Sequence, residues 1–293
     1  MLIWIILSIL IIGVMGISCL VGWNLTHPQR KQITANPGDY GLNFQEVKFS
    51  SREDYLQLAG WFLPTEGKSS VSVIIAHGYG ENRQYDYIPV LPLARFLVSQ
   101  GYNVLLFDFR NAGESEGSLT SVGQYEVRDI LGAVDFLAQE KEQQKIIVHG
   151  FSMGASTAIL AAAQEERIAG VIADCPFADL ESYLKSNLPV WTKLPAFPFN
   201  HLVMRLIPWL TRTDPKEVSP VRVIDRLASK GLLLIHAAED TTIPAENSKQ
   251  LLQAAQNPQG ELWLVPGANH VECYGKEPEA YQKKVINFLR SVS

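Results

Sequence analysis

Short apolar runs of strand length alternate with helix-length segments from residue 71 onwards, and this alternation constrains the fold more than any other feature. The runs are almost continuous in apolar residues, as at Val71–Ala76 and residues 145–148 and 232–235. Strands of a parallel sheet have this pattern because crossover helices cover both faces of the sheet. The sequence therefore predicts an α/β fold with a mostly parallel central sheet and helices on both faces.

Two segments depart from this alternation. Residues 44–49 and 55–62 are short alternating or aromatic-rich runs, which predict an antiparallel pair at the start of the sheet. Residues 179–230 lack a strand-like run and are too long for an ordinary loop. We predict that they form a helical lid insertion within a domain spanning residues 42–293. Its apolar side chains are predicted to line an acyl pocket or to form a small core of their own: Trp191, Phe197, Phe199, Leu206, Ile207 and Trp209.

The N-terminus differs from the rest of the chain, because residues 2–23 carry no charge. Twenty-two helical residues reach about 33 Å, enough to cross a hydrocarbon core of about 30 Å. We predict a transmembrane anchor at residues 1–26 and a Pro- and Gly-containing linker at residues 27–41. A cleaved signal peptide is an alternative, although it would begin with basic residues. A buried core helix is another, although this segment is apolar on every side.

The charges that flank the apolar segment predict its orientation. Arg30 and Lys31 follow it closely, and no basic residue precedes it. The positive-inside rule then places the following domain in the cytoplasm. Three widely spaced cysteines (Cys19, Cys175 and Cys273) suggest neither a disulfide framework nor a clustered zinc site.

Composition excludes two classes of protein. A hydrophobic content of 47% argues against intrinsic disorder of the whole chain. The net charge of −5, without a Lys/Arg-rich run, argues against a nucleic-acid partner because phosphate neutralisation requires clustered basic side chains.

Residues 150–154 read Gly-Phe-Ser-Met-Gly between an apolar strand and an Ala-rich helix. A G-x-S-x-G sequence at a strand-to-helix turn is typical of a nucleophile elbow, in which the serine hydroxyl projects from a tight turn. The helix N-terminus also favours negative charge that develops near the serine. Ser152 is therefore the predicted nucleophile.

A serine nucleophile needs a base and a carboxylate that orients it. His270 follows the last predicted strand and is the predicted base, with His236 as the alternative. Asp240 is the predicted acid, and Glu239 and Asp174 are its competitors, although we interpret Asp174 as structural. The resulting chain order of serine, aspartate and histidine is that of α/β-hydrolases.

Glycines next to a predicted strand end suggest where an oxyanion would be bound. Residues 77–80 read His-Gly-Tyr-Gly after the strand Val71–Ala76. Glycines let backbone N–H groups face a substrate, so the N–H groups of Tyr79 and Met153 are the predicted donors. We interpret His77 as a residue that stabilises the turn.

These motifs together carry a family resemblance. Four blocks, at residues 74–83, 107–117, 148–156 and 236–244 with 267–270, resemble the α/β-hydrolase superfamily, and within it the serine-peptidase-like and esterase-like group with an N-terminal membrane anchor. The second block resembles the family's D-x-R-G-x-G-x-S motif, although Asn111 stands where glycine is usual and Ala112 occupies the variable position. The resemblance implies hydrolysis of an ester, thioester or amide through an acyl-enzyme.

The predicted function is hydrolysis of a carboxylic ester on a small-molecule acyl substrate, with no metal or organic cofactor. A peptidase of the same mechanism is the first alternative, and Glu181 is the candidate for reading a substrate amine. A non-catalytic binding protein on a hydrolase fold is the second. Because every catalytic motif follows residue 27, we expect a chain that starts near Pro28 to be soluble and active.

Overall fold

The computed structural model describes residues 1–67, 69–85 and 87–292. These residues contain an eight-stranded sheet in the order β1-β2-β4-β3-β5-β6-β7-β8. The strands are β1 (Gln45–Ser50), β2 (Gln57–Leu63), β3 (Val71–Ala76), β4 (Asn103–Phe107), β5 (Lys145–Phe151), β6 (Ile168–Asp174), β7 (Gly231–Ala237) and β8 (Glu261–Val265). Strands β1, β2 and β4 pair antiparallel, and the remaining neighbours pair parallel. The mostly parallel sheet and its antiparallel start are thus confirmed.

Helices cover both faces of this sheet and separate two apolar cores. The helices are α1 (Leu2–Thr26), α2 (Val90–Ser99), α3 (Glu126–Glu140), α4 (Met153–Ala162), α5 (Leu180–Thr192), α6 (His201–Thr211), α7 (Glu246–Ala255), α8 (Cys273–Lys276) and α9 (Pro278–Val292). Neighbouring residues of β3 point into different cores. Ile74 packs with α3 and α4 in one core, while Val73 and Ile75 pack with α2 and α9 in the other. This two-residue alternation is the geometry of a strand buried on both faces.

Strand β5 continues past its apolar run, to Phe151 instead of residue 148. The polar His149 continues the ladder because it pairs with Ile75, while its Nε2 atom lies 2.8 Å from the Tyr281 hydroxyl in the core. Burial lowers the pKa of His149 to about 3. The side chain is therefore a neutral core residue.

Residues 179–230 connect β6 to β7 and contain helices α5 and α6, a π-helical turn at Ala196–Asn200 and three short 3₁₀ helices, but no strand. Helix α5 begins where the Asp179 carboxylate accepts a hydrogen bond from the Ser182 N–H at 2.8 Å, a standard N-cap. Helix α6 packs on α1. The predicted helical insertion is confirmed, and we call it the lid insertion.

Helix α1 is the one helix in the described residues that is long and apolar enough to cross a membrane. Most of its large side chains are exposed, and its buried residues are the small Ser18, Gly22 and Thr26, four residues apart on one face. A Cβ atom on Gly22 would lie 1.9 Å from Cδ1 of Ile207 in α6. A larger residue at this position would force the Ile207 side chain to shift, so glycine favours this close approach of the two helices.

The segment predicted as a linker lies against the domain. The Arg30 guanidinium donates hydrogen bonds to the carbonyls of Ser115 and Gly117, each at 2.6 Å. Lys31 forms an ion pair with Glu81. These contacts hold the chain on the domain surface directly after α1.

Candidate active site

Ser152 stands at the turn between β5 and α4, where the sequence predicts a nucleophile elbow. Its backbone has φ 53° and ψ −117°, a conformation that residues other than glycine rarely adopt. A Cβ atom on Gly150 would lie 2.3 Å from the Gly154 carbonyl oxygen, and one on Gly154 would lie 2.3 Å from that of Ala76. Both glycines of the motif are therefore required by close backbone packing.

The structure brings the three predicted catalytic side chains together in one hydrogen-bonded chain. His270 Nε2 lies 2.9 Å from Ser152 Oγ, and His270 Nδ1 lies 2.7 Å from Asp240 Oδ2. A carboxylate can only accept, so Nδ1 carries the proton and Nε2 is free to accept from the serine hydroxyl. The residues follow β5, β7 and β8, whose carboxyl ends lie at one edge of the parallel sheet.

Asp240 is held as a carboxylate by its surroundings. Its Oδ1 atom accepts from the N–H groups of Thr242 and Ile243, both at 2.8 Å. Burial alone would raise the pKa of this carboxyl, but hydrogen bonds from His236 and His270 and the charge of His270 hold it well below its ordinary value. The Asp240 carboxyl is thus ionised throughout the neutral pH range.

The competing side chains occupy other positions. His236 is buried behind Asp240, with its Nε2 atom 2.8 Å from the Ile243 carbonyl and its Nδ1 atom 2.6 Å from Ser248 Oγ. Glu239 accepts from the Gly267 N–H at 2.7 Å and joins the two loops that carry Asp240 and His270.

Asp174, the third competitor, lies in the core beside the elbow. Its carboxylate accepts from the Tyr281 hydroxyl, and its carbonyl accepts from the Ser152 N–H, both at 2.8 Å. Burial raises the pKa of this carboxyl despite the hydrogen bond from Tyr281. These contacts agree with the structural interpretation of Asp174.

The loop with the predicted oxyanion donors passes beside the serine. A Cβ atom on Gly78 would lie 3.5 Å from Ser152 Cβ. Among the described residues, the N–H groups of Tyr79 and Met153 have no intramolecular acceptor. His77 stabilises the turn as predicted, because its Nε2 atom accepts from the Phe109 N–H at 3.0 Å and its Nδ1 atom lies 2.7 Å from the Gly78 carbonyl.

The loop of the D-x-R-like motif, which follows β4, contacts the loop that carries the predicted oxyanion donors. Asp108 is fully buried and accepts from the Arg83 guanidinium at 2.7 Å, which ties this loop to the one that follows β3. Ser115 Oγ donates to the Asp108 carbonyl at 2.6 Å. Asn111, which stands where the family has glycine, has φ 57°. Asparagine tolerates this left-handed conformation better than most residues, so the turn is kept.

An apolar cavity of about 110 Å³ adjoins Ser152. Trp191 and Ile207 line it, whereas Phe197 and Trp209 of the lid insertion are 78% and 80% exposed. The prediction for the lid side chains therefore holds for only part of the set. The remaining lining residues come from α4, the lid insertion, the loops after β3, β4, β6 and β7 and, unexpectedly, α1: Gly22, Leu25, Thr26, Tyr79, Thr120, Ser121, Val122, Met153, Phe177, Leu180, Tyr183, Leu184, Leu188, Val203, Met204, Pro208, Thr213, Pro215 and Ile243.

Two cysteines lie beneath the candidate site. Metal-ligating atoms of Asp174, Cys175 and Cys273 come within 4.8 Å of one another, as do those of Cys175, Asp240 and His270. Burial raises the pKa of the Cys175 thiol well above its ordinary value. A neutral thiol is a poor metal ligand. This arrangement gives no support to a metal centre.

The chain is similar to a known protein family, to bacterial proteins and to a solved structure. A family model described as the alpha/beta hydrolase fold matches residues 71–208. The Bacillus subtilis protein YqkD is 32% identical over 225 residues, which cover 76% of this chain and 72% of that protein. The Escherichia coli O157:H7 protein YfhR is 25% identical over 256 residues, covering 84% and 81%. The solved Pyrococcus furiosus esterase Pf2001 is 28% identical, with a TM-score of 0.76 over 92% of this chain and 98% of that chain.

Proposed function

Because this chain belongs to the α/β-hydrolase family, we propose that it is a serine hydrolase that cleaves carboxylic esters through an acyl-enzyme on Ser152. The observation that carries the proposal is the continuous hydrogen-bonded chain from Ser152 through His270 to Asp240, at the edge of an apolar cavity. The similarity to an esterase from Pyrococcus furiosus supports the choice of an ester as the substrate.

In the proposed reaction, Ser152 Oγ attacks the ester carbonyl carbon as its proton passes to His270 Nε2. The tetrahedral intermediate collapses, and the same proton passes to the leaving alcohol, which leaves an acyl group on Ser152. Water then gives a proton to His270 and attacks the acyl carbon, and return of that proton to Ser152 releases the acid. Asp240 keeps the Nδ1 tautomer and stabilises the imidazolium in both halves of the cycle.

The negative charge of the intermediate needs fixed donors. The Tyr79 and Met153 N–H groups have no other acceptor among the described residues, and Met153 is the first residue of α4. We assign them to the oxyanion hole. Each such donor contributes about 10²–10³ in kcat in a serine protease where one was removed. These steps use only side chains and backbone groups of the chain itself.

The cavity lining favours an apolar acyl group over a peptide. None of the described residues that line the cavity is charged. Glu181, the candidate for reading a substrate amine, forms an ion pair with Lys185 at 2.8 Å. It lines an adjoining groove of the lid insertion and not the cavity beside Ser152. A peptidase that selects a free amine would need a carboxylate in the cavity itself.

A matched pair of substrates tests the choice between ester and amide. We expect the purified protein to hydrolyse p-nitrophenyl butyrate and to be labelled by a fluorophosphonate probe, because both react with an activated serine. We expect p-nitrobutyranilide to react at least about 10²-fold more slowly, because an anilide is a less reactive acyl donor than a p-nitrophenyl ester. Aminoacyl anilides should gain nothing over it, since the cavity offers no group to bind an amine. Faster cleavage of the anilides would favour the peptidase, and absence of both labelling and turnover would favour a non-catalytic binding protein.

We also propose that α1 is a single-pass membrane anchor and that the catalytic domain faces the cytoplasm. Its length and apolar surface support the anchor, and Arg30 and Lys31 support the orientation. We expect the full-length protein to sediment with membranes and to resist extraction by high salt, because apolar burial holds the helix. Extraction by salt alone would contradict the anchor.

The orientation has a separate measurement. Gln259 is exposed at the turn before β8, at the edge of the sheet opposite Ser152. In a Gln259→Cys variant, we expect a membrane-impermeant maleimide to label this position only after the cells are permeabilised. The parent protein is the matched control, since Cys175 and Cys273 are buried and the half-buried Cys19 lies within α1, the proposed membrane span. Labelling of the variant in intact cells would place the domain outside.

A further inference from the structure

We propose that the last turn of α1 forms one wall of the pocket for the substrate's acyl chain, and that this chain belongs to an ester dissolved in the membrane. The inference rests on the proposed ester hydrolysis and on the proposed anchor, and it goes beyond both. It gives the anchor a part in substrate selection and names the substrate as a membrane amphiphile with an aliphatic acyl chain.

The first observation is the lining of the cavity beside Ser152. Gly22, Leu25 and Thr26 of α1 share this cavity with Ser152 and with the lid insertion. Val21 and Leu25 also pack on a small apolar cluster that includes Val203 and Ile207 of α6. Without α1, this side of the cavity would open to solvent, so the expectation that residues 1–27 are dispensable for activity does not follow from the structure.

The second observation is how firmly the helix end is held. The last carbonyls of an α-helix lack partners within the helix. Here the Tyr79 hydroxyl donates to the Leu25 carbonyl and the Thr120 N–H donates to the Thr26 carbonyl, both at 2.7 Å. The N–H of the same Tyr79 is assigned to the oxyanion hole. The end of α1 is therefore attached directly to the loop that binds the reacting carbonyl.

The third observation concerns depth in the membrane. The buried side of α1 begins at Ser18, so residues 2–17 are free to contact lipid. Sixteen helical residues reach about 24 Å, less than a hydrocarbon core of about 30 Å. A helix that spans the bilayer must therefore place the start of its contact with the lid insertion about 6 Å inside the hydrocarbon core, near the membrane surface that faces the domain. Trp209, exposed on α6, is a residue type that favours this interface.

These observations define the chemistry of the substrate. The cavity is lined by apolar and neutral side chains and lies where a membrane helix meets a helix of the lid insertion. An aliphatic chain can pass from the bilayer into such a cavity without crossing water, whereas a charged group would lose its hydration there. The ester carbonyl then lies at Ser152, and the polar alcohol part of the amphiphile remains at the water side.

A change in the volume of the α1 wall tests the first half of the proposal. Leu25→Trp fills the cavity from α1, and Leu25→Ala enlarges it. We measure kcat/KM of the full-length protein on p-nitrophenyl acetate and decanoate in detergent. For Leu25→Trp we expect the ratio of kcat/KM on decanoate to kcat/KM on acetate to fall by about tenfold or more. Each methylene group that is no longer buried accounts for about fourfold of this decrease. Leu25→Ala is expected to shift the preference towards longer chains. Leu20→Trp, at a position of α1 that is 61% exposed, is the matched control and should leave the ratio unchanged.

The acetate separates failure of this proposal from failure of the proposed function, because a two-carbon acyl group contacts only the surroundings of Ser152. If the parent protein does not cleave the acetate, the ester hydrolase proposal is wrong. If it cleaves the acetate but the Leu25 variants keep the parental ratio, α1 is not a wall of the acyl pocket.

The source of the acyl chain is tested with vesicles. The full-length protein is placed in phosphatidylcholine vesicles that contain 1-decanoylglycerol. If the chain enters from the bilayer, the rate should follow the mole fraction of this ester in the membrane when its bulk concentration is held constant by adding phosphatidylcholine. A rate that follows only the bulk concentration would show that the substrate arrives from water and would overturn the second half of the proposal.

Discussion

Replacement of Ser152 by alanine is expected to lower kcat by about 10⁶ and to abolish labelling by a fluorophosphonate probe. The alanine side chain cannot form the acyl-enzyme, and the remaining donors can only stabilise a direct attack by water. The fold should persist, because the hydroxyl's one described partner is His270 Nε2, at 2.9 Å. The measurement is turnover of p-nitrophenyl butyrate together with the thermal unfolding midpoint.

Ser99→Ala is the matched control for this variant, since Ser99 is exposed on α2 and its hydroxyl, among the described residues, bonds only to the Phe96 carbonyl of the same helix. It should keep the parental kcat and probe labelling. Retained labelling of Ser152→Ala would show that another serine is the nucleophile, and the assignment of the elbow would then have to be given up.

Replacement of Asp240 by asparagine is expected to lower kcat by about 10⁴, as for a triad aspartate measured in a serine protease. An amide N–H aimed at His270 Nδ1 would favour the tautomer with the proton on Nε2, which cannot accept the serine proton. Glu239→Gln is the matched control, because Glu239 accepts a hydrogen bond from the Gly267 N–H and does not contact His270 in the described hydrogen bonds. The measurement is kcat on the same butyrate ester.

The dependence on pH distinguishes this role from a merely structural one. The pKa of Asp240 lies well below its ordinary value, so the carboxylate is ionised throughout the neutral pH range. Its stabilising contribution is present above the pKa of an unfolded aspartate and is lost only as pH falls through the lowered value. The loss in Asp240→Asn should therefore persist from pH 6 to pH 9. A larger loss in Glu239→Gln than in Asp240→Asn would mean that the acid is misassigned by one position.

Much of the candidate site follows from local sequence and from one rule of topology. Ser152, Asp240 and His270 each follow a strand, and the carboxyl ends of parallel strands meet at one edge of the sheet. Once the strands are recognised, three residues separated by up to 118 positions are expected to lie together. The glycines around Ser152 could also be interpreted without a structure, because a tight strand-to-helix turn has no room for their side chains.

The sequence does not identify the catalytic acid where two carboxylate residues follow the same strand. Glu239 and Asp240 are adjacent, and both precede a helix. Chain order favours the region but does not choose between neighbours. The choice depends on the side-chain directions, since Asp240 points at His270 Nδ1 while Glu239 reaches across to the Gly267 N–H. These directions are set by the turn after β7.

The amino-acid sequence is enough to predict the α/β alternation, the elbow, the apolar length of α1 and the order of the candidate catalytic residues, because each depends on near neighbours or on strand order. The packing of the end of α1 on the lid insertion, where it lines the cavity beside Ser152, is visible only in the folded chain. Helix α1 is apolar on every side, so its hydropathy does not distinguish a protein contact from a lipid contact. The small residues Ser18, Gly22 and Thr26 recur at four-residue spacing, which marks a face suited to helix packing but does not identify its partner. The contact depends instead on the fit of Gly22 against Ile207, residues that lie far apart in the chain, and on carbonyls that Tyr79 and Thr120 satisfy. Such a fit exists only after the sheet has brought both segments to the same edge.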